Sequence, residues 1–185
     1  HEGERLNVDS VVLQASTQGL VKTLSLQTNE IDANIKGAYE IMQLGETFKR
    51  MLHQYAPAYI ENAKQIVKAQ KFTYYIKTGN IDGYLSLFDK DLKGFSNTQL
   101  SGILDADSNQ LTIDGTIPSF AYKQCSVDNL RIKGDGNKDN LNLDIQADNI
   151  IAGDSTYFPS THIYIVTQKN ISTVKVSTSA NHTLS

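Results

Sequence analysis

The residues best placed to do chemistry are Asp105, Asp107 and Asn109, whose alternate spacing copies the first half of a calcium-binding loop. Such a loop needs a glycine at its sixth position for a sharp turn and a bidentate glutamate at its twelfth. Those two positions hold Gln110 and Thr116. The run therefore predicts a polar hairpin turn and not a metal site.

The histidines and the single cysteine do not form a recognisable catalytic pair. His162 follows Ser160 by two positions, but a serine–histidine pair also needs a third group that orients the imidazole. Cys125 lies in a β pattern and is expected to be a small, buried apolar residue. The four histidines lack the spacing of metal ligands: His1, His53, His162 and His182. We therefore expect a protein that is not an enzyme and that uses no metal or cofactor.

Composition and charge set the broad class of protein. The chain has 185 residues, of which 39% are hydrophobic and 20% charged, which argues against disorder. Seventeen basic and twenty acidic residues give a net charge of -3, so a cationic surface for nucleic acid is not expected. No run approaches the roughly 18 apolar residues of a membrane-spanning helix. The strand pattern continues to Val176, and we interpret residues 1–185 as a single fragment of a longer, repetitive β protein.

Apolar and polar residues alternate over most of the chain. A period of two is typical of β-strands, and one apolar face opposite one polar face is typical of antiparallel sheet. Polar, turn-forming runs such as 105–109 and 134–137 separate neighbouring strands. The pattern predicts strands over 1–39 and 70–185, paired in sequence order as a meander.

Helical spacing interrupts the strands in two regions, 40–69 and 81–92. The first region predicts a helical insert with one apolar stripe that packs on the sheet: Ile41, Leu44, Phe48, Met51, Leu52 and Tyr55. A second short helix of the insert is indicated by Tyr59, Ala63, Ile66 and Val67. The region 81–92 predicts another short helix, from Ile81 to Leu92, with Asn80 as its N-cap.

A mainly β fold follows, with a long antiparallel meander and one to three short helices. Because so few helical segments could cover the apolar face, we expect the sheet to curl on itself into a half-pipe or flattened solenoid, a β-taco-like shape. The alternative is a closed β-sandwich. An elongated sheet would keep open edge strands, so edge-strand self-association is also expected.

The order of these segments resembles a known family. An alternating strand ends in Ile35-Lys36-Gly37-Ala38-Tyr39, an amphipathic helix ends at Tyr55-Ala56-Pro57, and a Phe72–Ile76 strand leads to the short helix at Ile81. Three further segments follow, Leu100-Ser101-Gly102-Ile103-Leu104, 111–118 and 128–143. The whole resembles an internal segment of TamB-like proteins, the translocation and assembly module family of the AsmA-like superfamily, of the Bacteroidetes type.

This resemblance implies a function in the envelope of a diderm bacterium. TamB-like proteins are elongated β structures of the periplasm, anchored in the inner membrane. They are implicated in lipid transport to the outer membrane and in outer-membrane biogenesis. The implied partners are phospholipid acyl chains and an outer-membrane assembly protein of the Omp85 type, with no nucleic acid. The alternative is a cell-surface β-sandwich adhesin or binding module.

An apolar track along the sheet would bind acyl chains without directional contacts. For each track residue the alternative is ordinary packing in the sheet core. The candidates are Leu24, Leu26, Ile31, Ile35, Phe72, Tyr74, Ile76, Leu111, Ile113, Leu130, Ile132, Leu141, Leu143, Ile145, Ile163, Ile165, Val174 and Val176.

Overall fold

A computed structural model of the chain describes residues 10–55, 61–62, 70–85, 89–153, 156–168 and 171–179. The strands are β1 (Val11–Gln18), β2 (Val21–Thr28), β3 (Ile31–Ala38), β4 (Lys71–Thr78), β5 (Leu92–Gly94), β6 (Gln99–Asp105), β7 (Gln110–Tyr122), β8 (Cys125–Gly136), β9 (Asn140–Ala152), β10 (Thr156–Gln168) and β11 (Ile171–Ser177). A 3-10 turn (Ile41–Gln43) leads into helix α1 (Leu44–Tyr55), and helix α2 (Asp82–Leu85) follows β4.

The eleven strands found in these described ranges belong to one antiparallel sheet, in the order β1-β2-β3-β4-β6-β7-β8-β9-β10-β11, with the short β5 paired to β7. The predicted mainly β, antiparallel meander is confirmed. The alternative of two facing sheets is not what forms, because the strands make a single sheet. Within the described part of the chain, β1 and β11 each pair on one side only, so both are edge strands.

The pairing register divides the sheet into an apolar and a polar face, since directly opposed residues share a face. We name three rows of paired residues on the apolar face by their first member. The Leu13 row is Leu13–Leu26–Ala33–Ile76–Leu100–Gly115–Ile132–Ile145–Ile163–Val176. The Ala15 row is Ala15–Leu24–Ile35–Tyr74–Gly102–Ile113–Gly134–Leu143–Ile165–Val174. The Thr17 row is Thr17–Lys22–Gly37–Phe72–Leu104–Leu111–Gly136–Leu141–Thr167–Ser172.

The polar face is read from the intervening residues. One of its rows is Val12–Gln27–Asp32–Lys77–Gln99–Thr116–Arg131–Gln146–His162–Ser177. Only its first member is apolar. The alternation in the sequence thus becomes a sheet with one apolar side and one side suited to water.

The buried core lies along the Thr17 row, where α1 covers the sheet. It consists of Tyr39, Met51, Phe72, Leu104, Ala106, Leu111 and Leu141. Met51 of α1 is 2% exposed within this cluster, and Leu44 packs against it. The predicted packing of the helix on the sheet is therefore found at these two positions. Ile41, by contrast, is 54% exposed, because it lies in the 3-10 turn before the helix.

A buried hydrogen-bond chain holds α1 against the start of β4. Gln70 Nε2 donates to Thr47 Oγ1 at 2.8 Å, and Thr47 Oγ1 donates to the carbonyl of Gln43 at 2.8 Å. The amide of Glu40 donates to Gln70 Oε1 at 3.3 Å. The polar groups of Gln70 and Thr47 are satisfied within the protein, as burial requires.

Three local predictions are corrected. The helix predicted to run to Leu92 does not extend that far, because Leu92 pairs with Tyr122 in β5. Asn80 lies outside α2, and its backbone N–H donates to Glu30 Oε2 at 2.5 Å. Cys125 is exposed at the start of β8 and not buried. The four residues that predicted the second helix of the insert, Tyr59, Ala63, Ile66 and Val67, and the side chains of residues 48, 52 and 55 lie outside what the structure describes.

Candidate functional site

A groove of about 610 Å³ lies on the apolar face. This volume falls in the range of roughly 300–1,000 Å³ that is usual for small-molecule sites. Its walls come from strands β1, β2, β3, β4, β6 and β7 and from the first residue of α1. The lining residues are Leu13, Leu24, Leu26, Ala33, Asn34, Ile35, Leu44, Phe72, Tyr74, Tyr75, Ile76, Leu100 and Ile113.

The register of the sheet explains this lining. Five lining residues belong to the Leu13 row: Leu13, Leu26, Ala33, Ile76 and Leu100. Four belong to the Ala15 row: Leu24, Ile35, Tyr74 and Ile113. Phe72 links the groove to the buried core beneath α1. Strands in which apolar and polar residues alternate therefore produce a continuous hydrocarbon surface, although no single sequence motif marks it.

Glycines on the apolar face shape the wall at β6 and β7. A Cβ on Gly115 would lie 2.6 Å from Leu100 Cδ1 and 3.4 Å from Ile132 Cγ2. A Cβ on Gly102 would lie 2.5 Å from Tyr74 Oη and would overlap the carbonyl oxygen of Thr112. Side chains of the flanking strands therefore occupy the space above these glycines.

Tyr74 is the lining residue with a defined polar contact inside the sheet. Its hydroxyl donates to the carbonyl oxygen of Thr112 at 3.4 Å. Burial raises the pKa of Tyr74 above that of a free phenol. The ring therefore stays neutral at physiological pH and presents an apolar face to the groove.

The groove walls are partly exposed to solvent. Leu13 is 66% exposed, and the remaining leucines and isoleucines of the lining are half-buried. Exposed apolar area costs about 25 cal/mol per Å² relative to burial. A contiguous apolar surface of this kind is typical of binding sites.

Seven of the eighteen candidate track residues line the groove: Leu24, Leu26, Ile35, Phe72, Tyr74, Ile76 and Ile113. Leu111 and Leu141 are instead in the buried core, and Leu143 packs against it. Four candidates continue the Leu13 and Ala15 rows outside the groove and are half-buried: Ile132, Ile145, Ile163 and Ile165. Val174 and Val176 are exposed on edge strand β11. Ile31 and Leu130 lie opposite Thr78 and Ile117, outside the three rows.

Sequence reasoning missed four apolar lining residues: Leu13, Ala33, Leu44 and Leu100. Leu13, Ala33 and Leu100 all lie on alternating strands, so the period-two signal was present for each. Leu44 carries a helical signal, and its proximity to β2 and β4 depends on the tertiary packing of α1. The register, which no local pattern fixes, decides which alternating residues meet.

A second cavity of about 250 Å³ adjoins the groove and shares Leu24 with it. Lys22 and Glu40 line this cavity and form an ion pair of 2.6 Å between Nζ and Oε1. Tyr39 also lines it; burial raises the pKa of Tyr39, and the nearby Lys22 charge opposes that shift.

Among the described residues, Ser160 and His162 do not come together as a pair. His162 Nε2 lies 3.0 Å from Asp144 Oδ1, but Ser160 makes no side-chain hydrogen bond to His162 in the described residues. Within the described ranges, no three metal-ligating side chains converge. No helix in this part of the chain is long and apolar enough to cross a membrane.

Comparison with protein-family models, with curated proteins and with solved structures finds no match to this chain.

Proposed function

We propose that this chain binds lipid acyl chains in the groove on its apolar face and has no enzymatic activity. The observation that carries the proposal is the 610 Å³ groove, whose lining is hydrocarbon on nearly every side and whose walls contact solvent. An acyl chain would cover these side chains and remove them from water.

The physical basis is the hydrophobic effect, which is non-directional. Each buried methylene contributes about 0.8 kcal/mol, so a long chain gains affinity without dedicated polar contacts. The apolar character of the Leu13 and Ala15 rows supplies such a surface. This basis also accounts for a sequence in which alternating strands, and no catalytic motif, are the main signal.

The wider proposal follows the resemblance to TamB-like proteins. The chain would act in the periplasm of a diderm bacterium, as part of a protein that carries lipid between the inner and outer membranes. The sheet would curl into a half-pipe with the apolar face inside. The longer protein would be anchored in the inner membrane and would assist outer-membrane protein assembly together with an Omp85-type partner.

Binding of a fluorescent long-chain fatty acid tests the proposal. Leu26→Glu places a charge in the groove wall, whereas Gln27→Glu places the same charge on the neighbouring, exposed residue of the polar face. A charge on an open wall reaches water by extending outward, so we expect Leu26→Glu to fold.

The expected result is saturable binding by the wild-type chain and by Gln27→Glu, and a loss of at least tenfold in affinity for Leu26→Glu. Circular dichroism and the thermal midpoint establish that both variants are folded. If a folded Leu26→Glu variant binds the fatty acid as well as Gln27→Glu does, the groove is not the binding site. If the wild-type chain does not bind, the proposed function is wrong.

A further inference from the structure

The apolar face carries a single charged residue in its three rows, Lys22. Every other member of these rows is aliphatic, aromatic, glycine, serine or threonine. Charges such as Asp32 and Lys77 lie on the opposite, polar face of the sheet. Lys22 lies opposite Thr17 and Gly37 and two positions from Leu24 on its own strand, so it places a positive charge beside the apolar rows.

Lys22 stands at one end of the groove. Lys22 and Leu24 are two residues apart on β2, so their side chains share a face and lie about 7 Å apart along the strand. Leu24 lines both the groove and the adjoining 250 Å³ cavity, and Lys22 lines that cavity. An extended ligand over Leu26 and Leu24 would reach the ammonium group next.

Glu40 does not close this end of the groove. The Lys22–Glu40 pair is short, 2.6 Å, but both side chains are well exposed, at 39% and 49%. Exposed ion pairs contribute little to stability because water and salt screen them. A ligand carboxylate or phosphate can therefore share or replace the Glu40 carboxylate at Lys22 Nζ.

We propose that Lys22 binds the anionic head group of an acyl ligand whose chain lies in the groove. The ligand class is an amphiphile with a carboxylate or phosphate at one end, and the groove takes its tail over Leu24, Leu26 and Ile76. The inference rests on the proposed function, because it assigns a head-group end and a tail end to the same groove.

The test compares a fatty acid with the fatty alcohol of equal chain length, at about pH 8, well above the ordinary carboxyl pKa of about 4. Each competes against a bound fluorescent fatty acid. We expect the wild-type chain to prefer the acid by about two- to fivefold, the range of an exposed ion pair. Lys22→Gln should abolish that preference, and Lys22→Arg should keep it.

Lys36→Gln is the matched control, since Lys36 is on the adjacent strand β3, opposite Thr23, on the polar face. It removes one positive charge from the same region and should leave the acid preference unchanged. Glu40→Gln removes the competing carboxylate and should strengthen binding of the acid. A lysophosphatidic acid of the same chain length, run beside the fatty acid, identifies which head group the site prefers.

The outcomes separate the two proposals. If acid and alcohol bind the wild-type chain equally well, or if Lys22→Gln keeps the preference for the acid, the head-group assignment is wrong and the groove proposal stands. If neither compound binds, the proposed function itself fails.

Discussion

At the scale of single residues, Asp105 shows how a turn acquires a buried charge. Its Oδ1 accepts hydrogen bonds from the amides of Asp107 and Ser108, both at 3.1 Å, and its Oδ2 lies 2.9 Å from Lys71 Nζ. Burial by itself would raise the pKa of Asp105. The hydrogen bonds from Lys71, Ser108 and Asp107 outweigh burial and lower that pKa to about 2.

This pKa predicts a specific acid dependence of stability. The unfolded carboxyl has a pKa of about 3.9, so the stabilisation from Asp105 is complete above about pH 5 and is lost as the pH falls through 2. Asp105→Asn should cost about 1–3 kcal/mol at neutral pH and progressively less between about pH 5 and pH 2. Urea unfolding of both proteins across this range measures the difference. An equal cost at pH 7 and at pH 2 would show that the carboxylate charge is not what stabilises the turn.

The sequence predicted this turn but not its stabilising partner. The Asp105–Asn109 run has the composition of a hairpin turn, and β6 and β7 do pair on either side of it. Lys71 belongs to β4, which pairs with β6 only in the folded sheet. The ion pair between exposed Lys71 and buried Asp105 therefore depends on a long-range register that local spacing does not contain.

At the scale of elements, helix α1 packs on the sheet through Met51 and Leu44. Met51→Ala should lower the free energy of unfolding by about 2–5 kcal/mol, because it opens a cavity in the buried cluster. Met42→Ala is the matched control: Met42 is 95% exposed in the 3-10 turn, and its loss should change stability by less than about 0.5 kcal/mol. Denaturant unfolding compares the two. Equal midpoints for the two variants would contradict the packing of α1 on the sheet.

Glycine substitutions test how the strands form the groove wall. Gly102→Ala should destabilise the protein by about 1–3 kcal/mol, since the new Cβ meets the Thr112 carbonyl and the Tyr74 ring. Gly45→Ala in α1 meets nothing within 4 Å and should stabilise by about 0.5–1 kcal/mol through helix propensity. Thermal midpoints of the two variants should therefore move in opposite directions. A neutral Gly102→Ala would mean that Tyr74 does not lie over β6 as described.

Element types were largely predictable, and element ends were not. Period-two alternation identified the long strands because each has one solvated face. Helical spacing identified α1 but extended the next helix to Leu92, whose pairing with Tyr122 makes it a strand residue. Tertiary pairing overrode the local helical pattern there.

At the scale of the whole molecule, β1 and β11 are the edge strands of the described part of the sheet. β1 is exposed along its length and contains no charge or proline, and β11 carries only Lys175. Charges and prolines are the usual means of preventing edge-to-edge pairing. Apart from the short β5, the sheet is a row of ten antiparallel strands. When a second copy lies edge to edge with the first, with both apolar faces on the same side, β1 of one copy therefore runs antiparallel to β11 of the other.

We therefore expect concentration-dependent association of the chain through its edges. Val12→Lys places a charge in β1 on the polar face and should reduce association without altering the fold. Sedimentation velocity over a range of concentrations measures both proteins. A wild-type chain that stays monomeric throughout, or a Val12→Lys variant that associates equally, would argue against edge pairing.

The groove combines residues from six strands of the sheet and from α1, and photo-crosslinking tests it most directly. A fatty acid with a diazirine near the end of its tail is bound to the wild-type chain, irradiated, and its adducts are located by mass spectrometry. We expect adducts on apolar-face residues of the groove, such as Leu13, Leu26, Ile76 and Leu100, and their loss when unlabelled fatty acid competes. Adducts confined to polar-face residues, or adducts that unlabelled fatty acid does not displace, would contradict it.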